Sequence, residues 1–196
     1  YRRDGNKEWH KPSELIAAGY TYEQLKGGSY SARSLRDDGA KLADLLTAKF
    51  SPQDLRKAGY TVKHFVAEGV DFDAKKLKED AKFSAAEVLR ASREKYPKGK
   101  EIKKKFTVKD LGPNGAKYPT KELREAGVTI KELVDEKVEL KELRNAGYDA
   151  KDLYKHDKKA FGAAQLKEVG FSAKELKAAG LKLDALRDEA KYDLKA

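Results

Sequence analysis

A leucine recurs at every tenth residue over long stretches of this chain of 196 residues. The series comprises Leu15, Leu25, Leu35, Leu45 and Leu55, then Leu123, Leu133, Leu143 and Leu153, and, after a slip of three residues, Leu166, Leu176 and Leu186. Phe65 takes the place of the leucine in the sixth repeat. A fixed internal period indicates an array of similar structural units, and in such an array each unit contacts only nearby units.

Each ten-residue unit carries the pattern of one short helix. In the segment GFSAKELKAAG, residues 170–180, Ser172 is a favourable N-cap and Glu175 completes a capping box. Gly180 stands where a helix ends in a left-handed residue, a conformation that glycine adopts without steric cost. Comparable pairs are Thr129 with Glu132, Asp149 with Asp152, Ser84 with Glu87 and Ser51 with Asp54. The pattern predicts a helix of about two turns followed by a glycine turn.

A helix of this length needs tertiary contacts, because isolated helices below roughly 12 to 15 residues are marginally stable. Phe171 precedes the cap and can form a hydrophobic staple with Leu176, which also meets Leu181 across the helix end. We therefore expect each unit to pack on the next, with leucine and aromatic side chains inside and lysine and glutamate facing water. The predicted fold is all-α, a solenoid-like array of short helices with glycine turns.

The repeat divides the chain into four segments. Residues 1–11 form a polar tail, 12–90 a first array, 91–117 an insertion, and 118–196 a second array. The register slips by two residues around VDFDAKKLKED, and the insertion contains the strong turn pattern GPNG. The chain begins at Tyr1 and contains no methionine, so we expect a processed or trimmed amino terminus.

Positive charge is concentrated near the insertion. Residues 93–121 hold ten basic and three acidic residues, a net charge of +7 out of +10 for the chain. The densest cluster comprises Lys98, Lys100, Lys103, Lys104 and Lys105. Such a cluster can attract RNA phosphates, an anionic lipid surface or an acidic protein, or can be a solvated loop without a partner. Arginine is scarce there, which favours long-range attraction over bidentate recognition.

Most aromatic residues stand five residues before a repeat leucine and are interpreted as core. Trp9, Tyr22 and Tyr154 lie off that position and are therefore the aromatic candidates for partner contact, together with the lysine cluster. We predict no membrane span, because no apolar run approaches the roughly 18 to 20 residues that a spanning helix needs. We expect a soluble protein, intracellular or organellar rather than secreted.

Catalytic and cofactor-binding patterns are absent from the sequence. Cysteine does not occur, which excludes disulfides, thiolate metal sites and a cysteine nucleophile. His10, His64 and His156 are far apart in sequence, and no HExxH, GxSxG, phosphate-loop or dinucleotide fingerprint is present. We predict that the protein is not an enzyme and that it has no catalytic, metal or cofactor residues.

The segments AGYTVKHF, AGVTIKEL, AGYDAKDL and GFSAKELKAAG resemble the degenerate decapeptide helical repeats found in proteins of algae, other protists and some bacteria. The resemblance covers roughly three quarters of the chain and implies a short-helix solenoid. A basic, cysteine-free repeat protein is also similar in character to linkers of large acidic assemblies, such as light-harvesting antenna complexes. The function we expect is a non-enzymatic scaffold or linker that binds acidic protein subunits of a larger complex. The alternative is an RNA- or ribosome-associated protein that binds phosphates through its lysines.

Overall fold

The computed structural model describes residues 10–67, 70–94 and 105–192. Within these ranges all regular secondary structure is helical, which confirms the predicted all-α fold. The chain divides into two compact units, Tyr1–Thr107 and Val108–Ala196. The division falls inside the segment 91–117 that the sequence assigns to the insertion. Each unit is a solenoid-like array of short helices.

The described part of unit one contains eight helices, most of them six residues long. They are α1 Pro12–Ala17, α2 Tyr22–Gly27, α3 Ala32–Asp37, α4 Leu42–Thr47, α5 Pro52–Lys57, α6 Val62–Phe65, α7 Ala74–Glu79 and α8 Ala85–Arg93. The first six begin ten residues apart, so each sequence repeat forms one helix. The last two depart from this spacing, and α8, with nine residues, is the longest helix of the described unit.

Unit two has the same organisation. Its described helices are α9 Val108–Leu111, α10 Thr120–Glu125, α11 Ile130–Asp135, α12 Leu140–Asn145, α13 Ala150–His156, α14 Ala163–Glu168 and α15 Ala173–Ala178. A π-helical segment, Ala185–Glu189, follows α15. The ten-residue spacing holds from α10 to α13 and resumes at α14 after three additional residues.

The helix starts predicted from the sequence are confirmed. The Glu175 amide donates a hydrogen bond to Ser172 Oγ at 3.3 Å, and the Ser172 amide donates to the Glu175 carboxylate at 2.7 Å. Reciprocal capping boxes also form at Thr129 and Ser84. Ser51 and Asp149 accept a hydrogen bond from the N3 amide of their helices. These caps satisfy amides that a short helix would otherwise leave without partners.

The helix ends follow the predicted Schellman geometry. The Leu181 amide donates to the Leu176 carbonyl at 3.1 Å, and Gly180 adopts a φ of 89°. The left-handed residue is not always glycine, because Ser29, Lys49 and Lys137 adopt φ values of 69°, 63° and 61°. The helix end therefore tolerates a strained residue, at a cost of about 1 kcal/mol relative to glycine.

The helices pack chiefly against the second helix along the chain. Contacts pair α2 with α4, α3 with α5, α10 with α12, and α11 with α13. The repeat leucines lie between these layers, and most are fully buried. We expected each ten-residue repeat to pack on the next repeat. Because the staple and the helix end already join each leucine to its own repeat, the remaining helix face is left to pack on the second repeat along the chain.

Buried tyrosines reinforce this spacing. The hydroxyl of Tyr30 donates to the His10 carbonyl at 2.8 Å, and that of Tyr148 donates to the Val128 carbonyl at 2.8 Å. The Tyr60 hydroxyl makes the same bond to the carbonyl of Ala40. Burial raises the pKa of Tyr60 to about 12, so its phenol remains a donor at neutral pH. The bond joins equivalent positions that are two repeats apart.

Candidate functional site

Five of the residues predicted to contact partners lie outside the described residues. These are Trp9, Lys98, Lys100, Lys103 and Lys104. Lys105 is described and its side chain is exposed. It lies next to Phe106, whose amide donates to the buried Ser92 Oγ at 2.9 Å, while that hydroxyl donates to the Val88 carbonyl. The described residues on either side of 95–104 are therefore joined through the last turns of α8.

The two remaining candidates, Tyr22 and Tyr154, are both half-buried and lie in different units. Tyr22 opens α2, and its pKa is raised by burial and by the nearby charges of Asp44 and Asp38. Tyr154 lies in α13, where the Lys158 ammonium is 5.7 Å from the centre of its ring.

A basic residue directly after the repeat leucine performs a structural role that the sequence analysis did not anticipate. Arg36 Nη1 donates to the Ala58 carbonyl at 2.7 Å, and Arg144 Nη2 donates to the Gly170 carbonyl at 2.8 Å. The accepting carbonyls lie at the end of the helix two repeats later, where a cation also interacts favourably with the helix dipole. These basic side chains bind other parts of the protein. We had expected the charged residues of the repeats to face water.

Four basic side chains at this position also cover the aromatic residue that follows the later helix. Distances from the charged group to the ring centre are 5.0 Å for Lys26 with Phe50, 5.1 Å for Arg124 with Tyr148, 5.0 Å for Arg144 with Phe171 and 4.5 Å for Lys167 with Tyr192. Glycine at the helix end makes room for this arrangement. A Cβ atom on Gly59 would lie 2.3 Å from Arg36 Nη1.

Arg56 departs from this pattern where the register slips. Its guanidinium still lies 5.1 Å from the centre of the Phe83 ring, but Nη2 donates to both carboxylate oxygens of Glu87 at 3.0 Å. Glu87 belongs to α8, where it also caps the helix by accepting from the Ser84 amide at 2.8 Å. At the slip, a carboxylate therefore replaces the carbonyl that accepts from the basic residue elsewhere.

A groove opens beside this ion pair. It lies between the end of α5, the first turn of α6 and the outer face of α8, and it encloses about 470 Å³. Four cationic side chains line it, namely Arg56, Lys57, Lys63 and Arg90, together with the carboxylates of Glu87 and Glu94. Ala91 supplies half-buried apolar surface, whereas the lining residues Val62 and Phe83 are almost fully buried. A volume of this size suits a small ligand or a short peptide segment. We name this feature the α5–α8 groove.

Hydrogen bonds fix the ionisation of the groove carboxylate. Burial alone would raise the pKa of Glu87, but hydrogen bonds from the Ser84 amide and the Arg56 guanidinium outweigh it, and the pKa is lowered. Glu87 is therefore anionic at neutral pH. The Nε atom of Arg56 is buried and lacks a hydrogen-bond partner among the described residues.

His64 lies in α6, one residue after the groove residue Lys63. It takes the N3 capping position, which Glu or Gln occupies in the complete capping boxes at Ser172, Thr129 and Thr21. The Thr61 amide donates to His64 Nδ1 at 3.1 Å, and the ring makes an edge contact with Tyr60. Burial lowers the pKa of His64, and the charge of Arg36 lowers it further. The imidazole is therefore neutral at pH 7 and accepts at Nδ1.

Sequence reasoning missed the groove residues, although one pattern pointed to them. The slip of two residues around VDFDAKKLKED was visible, and a break in a repeat is a place where contacts two units apart must change. The partner of Arg56, by contrast, was not visible, because Glu87 lies thirty-one positions away and was already explained as a helix cap.

None of the helices in the described ranges combines the length and the apolar character needed to cross a membrane. In the same part of the chain, no three histidine or acidic side chains are grouped so as to hold a metal ion.

The fold and the repeated contacts define a helical repeat protein built from ten-residue units. The family model described as Decapeptide repeat region matches residues 10–72, which comprise α1 to α6 and the start of the register slip. This match over residues 10–72 agrees with the resemblance of the chain's segments to decapeptide repeats. No curated protein and no solved structure matches the chain.

Proposed function

We propose that this protein is a non-enzymatic scaffold or linker that binds acidic protein partners within a larger assembly. The observation that supports this proposal is the separation of apolar and charged surface. Most large apolar side chains of the described residues are buried or half-buried, and among them only Leu183, at 64%, is mostly exposed to solvent. A partner of these repeats therefore meets a charged surface, and the excess of that charge is positive.

The location of the excess charge favours one segment as the main contact. Residues 93–121 carry +7 of the net charge of +10, and the lysines between 98 and 105 are its densest part. A concentrated positive charge accelerates encounter with an acidic surface and excludes basic partners. Lysine also has a flexible stem, which suits attraction to an extended acidic segment more than recognition of one planar group.

Polar groups near the groove support a binding role over a catalytic one. The Tyr60 hydroxyl donates to a backbone carbonyl, and His64 Nδ1 accepts from a backbone amide. Glu87 is held by both Arg56 and Ser84. These groups stabilise the fold through the same atoms that a proton-transfer mechanism would use.

The lysine cluster also gives the alternative a specific basis, namely an RNA- or ribosome-associated protein. RNA binding by lysines releases counterions, so the affinity falls steeply and linearly on a logarithmic scale as salt increases. Binding to a folded acidic protein adds packed and hydrogen-bonded contacts, and its salt dependence is weaker. The salt dependence therefore separates the two functions.

The proposal is tested by replacing Lys98, Lys100, Lys103, Lys104 and Lys105 together with glutamine. A fluorescein-labelled peptide of twelve glutamates and a twelve-residue uridine RNA serve as probes in anisotropy titrations from 50 to 200 mM salt. We expect the wild-type protein to bind the peptide and the variant to bind it about tenfold more weakly, mainly through slower association.

The matched control changes five exposed lysines of unit two to glutamine, namely Lys131, Lys141, Lys151, Lys174 and Lys177. The net charge is then the same, and peptide binding is expected to change by less than about threefold. Equal losses in both variants would show that only net charge matters and would contradict a dedicated segment. A wild-type protein that binds the RNA but not the peptide would favour the alternative.

A further inference from the structure

The α5–α8 groove has the charge and the lining of a peptide-binding site. Four cationic side chains line it against two carboxylates, and one of those carboxylates, Glu87, is already neutralised by Arg56. Arg90 and Lys57 are exposed at its edge. Lys57 pairs with Asp54 at 3.7 Å, so Lys63 and Arg90 remain against Glu94, and the lining keeps a small positive excess after its ion pairs are formed.

The guanidinium of Arg56 is not saturated by its partner. Glu87 is held through Nη2, whereas Nε lies buried without a hydrogen-bond partner in the part of the chain that the structure describes. Because Nε is buried, a ligand in the groove cannot reach it, but the Arg56 side chain as a whole is 33% exposed. A second carboxylate in the groove would pair with the exposed donors of this planar fork.

The lining selects a peptide over a nucleic acid. Ala91 is half-buried and provides apolar contact beside the charges, which an amino-acid side chain can use. Glu87 and Glu94 also line the groove, and they repel a phosphate backbone, whose charges follow one another without a break. A peptide can place a single carboxylate beside the arginines and uncharged residues near Glu94.

The groove is continuous with the lysine-rich segment along the chain. Its wall includes Arg90, Ala91 and Glu94, which belong to the end of α8, and the lysine-rich sequence follows directly. The Phe106 amide is bonded to Ser92 on the same turn of α8. One end of α8 therefore carries both the groove and the residues that flank the lysine cluster.

We propose that the α5–α8 groove binds an acidic peptide segment of the partner, with one carboxylate on the guanidinium groups of Arg56 and Arg90 and an apolar side chain against Ala91. This inference rests on the proposed function and locates a specific contact that the lysine cluster alone does not provide. The lysine cluster attracts the acidic partner, and the groove holds one defined segment of it.

The test uses the full chain and a fluorescein-labelled peptide of eight residues containing five glutamates and two leucines. The groove variant carries Lys57→Gln and Arg90→Gln, which alter exposed residues and leave the Arg56 ion pair intact. The control variant carries Lys41→Gln and Lys75→Gln, which remove the same charge at exposed positions that do not line the groove. We expect the peptide to bind about fivefold more weakly to the groove variant and less than about twofold more weakly to the control.

A second measurement locates the peptide. In a ¹H–¹⁵N spectrum of the wild-type protein, the peptide should shift the Nε–Hε resonance of Arg56 and the amide resonances of Val62 and Ala91. The same peptide with glutamine in place of glutamate should leave them unchanged. Shifts confined to residues outside the groove would overturn the inference.

The outcomes separate this inference from the proposed function. If the groove variant binds like wild type while the five-lysine variant loses the peptide, the groove inference is wrong and the scaffold proposal stands. If the wild-type protein binds an eight-residue uridine RNA but not the acidic peptide, both are wrong.

Discussion

Both units contain slips in the ten-residue register, and the slip between α6 and α7 in unit one has a different consequence from the slip between α13 and α14 in unit two. In unit two, α13 ends at His156, and the Asp157 carboxylate accepts from the amides of Lys159 and Ala160 at 2.9 Å. The extra residues thus form a local turn. Arg144 still reaches the carbonyl of Gly170, so the contact between α12 and the later helix end is preserved.

In unit one the slip changes the long-range contact itself. Arg56 keeps its aromatic partner, Phe83, but exchanges a carbonyl for the carboxylate of Glu87, and a groove opens beside the pair. The comparison shows that Arg56 and Arg144 share the stacking on an aromatic ring and differ in their hydrogen-bond acceptor. The acceptor can change, and where it changes to a charged group the surface gains a site that regular repeats lack.

The largest expected effect concerns buried leucines, one in the regular array of unit two and one at the slip in unit one. Leu143→Ala in the regular array and Leu77→Ala in α7 should each lower the free energy of unfolding by about 2–5 kcal/mol, because both side chains are fully buried. Urea denaturation monitored by circular dichroism measures this. Lys141→Ala is the control and should stay within about 0.5 kcal/mol. A much smaller loss at Leu77 would show that packing is loosened near the slip.

The second expected effect compares the two arginines. Arg144→Met and Arg56→Met should each cost about 1–2 kcal/mol, because a hydrogen bond and a contact with an aromatic ring are both lost. Adding Glu87→Gln should recover part of the loss at Arg56, since no unpaired carboxylate remains. Arg187→Met, which alters an exposed pair with Asp188, is the control and should cost less than about 0.5 kcal/mol. Failure of Glu87→Gln to recover stability would contradict the exchange of acceptors.

The third effect concerns the tyrosine hydroxyl hydrogen bonds that join one repeat to the second repeat before it. Tyr148→Phe and Tyr60→Phe should each cost about 1 kcal/mol, because a buried carbonyl loses its donor. Tyr154→Phe should change stability by less than about 0.5 kcal/mol, since this ring is half-buried beside Lys158. Equal costs at Tyr60 and Tyr148 would show that the slip in unit one leaves this bond unaffected.

The smallest effect is a difference in pH dependence between two helix caps. The folded-state pKa of His64 lies below its ordinary value, so the unfolded chain binds more protons as the pH falls through about 6.5, and stability decreases. Hydrogen bonds from the Ser172 hydroxyl and amide lower the pKa of Glu175, so this cap is retained until the pH falls below the ordinary range of a glutamate.

Thermal melts between pH 5 and 8 test this difference. His64→Gln should remove part of the loss of stability on acidification below about pH 6.5, because glutamine can cap α6 without titrating. A His64→Gln protein whose melting temperature still falls as steeply would contradict the assignment.

The sequence by itself determined the local structure. Ser172 with Glu175 fixed a helix start, and Gly180 with Leu181 fixed a helix end, because capping and left-handed turns depend on residues within a few positions of one another. The same rules located the buried leucines and the interruption of the repeat. The helical repeat was therefore predictable from one unit and its copies.

Only the tertiary structure decided which ten-residue repeats contact each other. The hydrogen bonds from Tyr148 to Val128 and from Arg144 to Gly170 join residues twenty or more positions apart. A leucine pattern of period ten fits packing on the next repeat as well as packing on the second repeat along the chain. The partner of Arg56 was likewise undetermined, since Glu87 satisfies a cap in the sequence and an ion pair in the fold. Local chemistry acts within a helix, whereas the choice of partner depends on which surfaces remain free after each helix has formed.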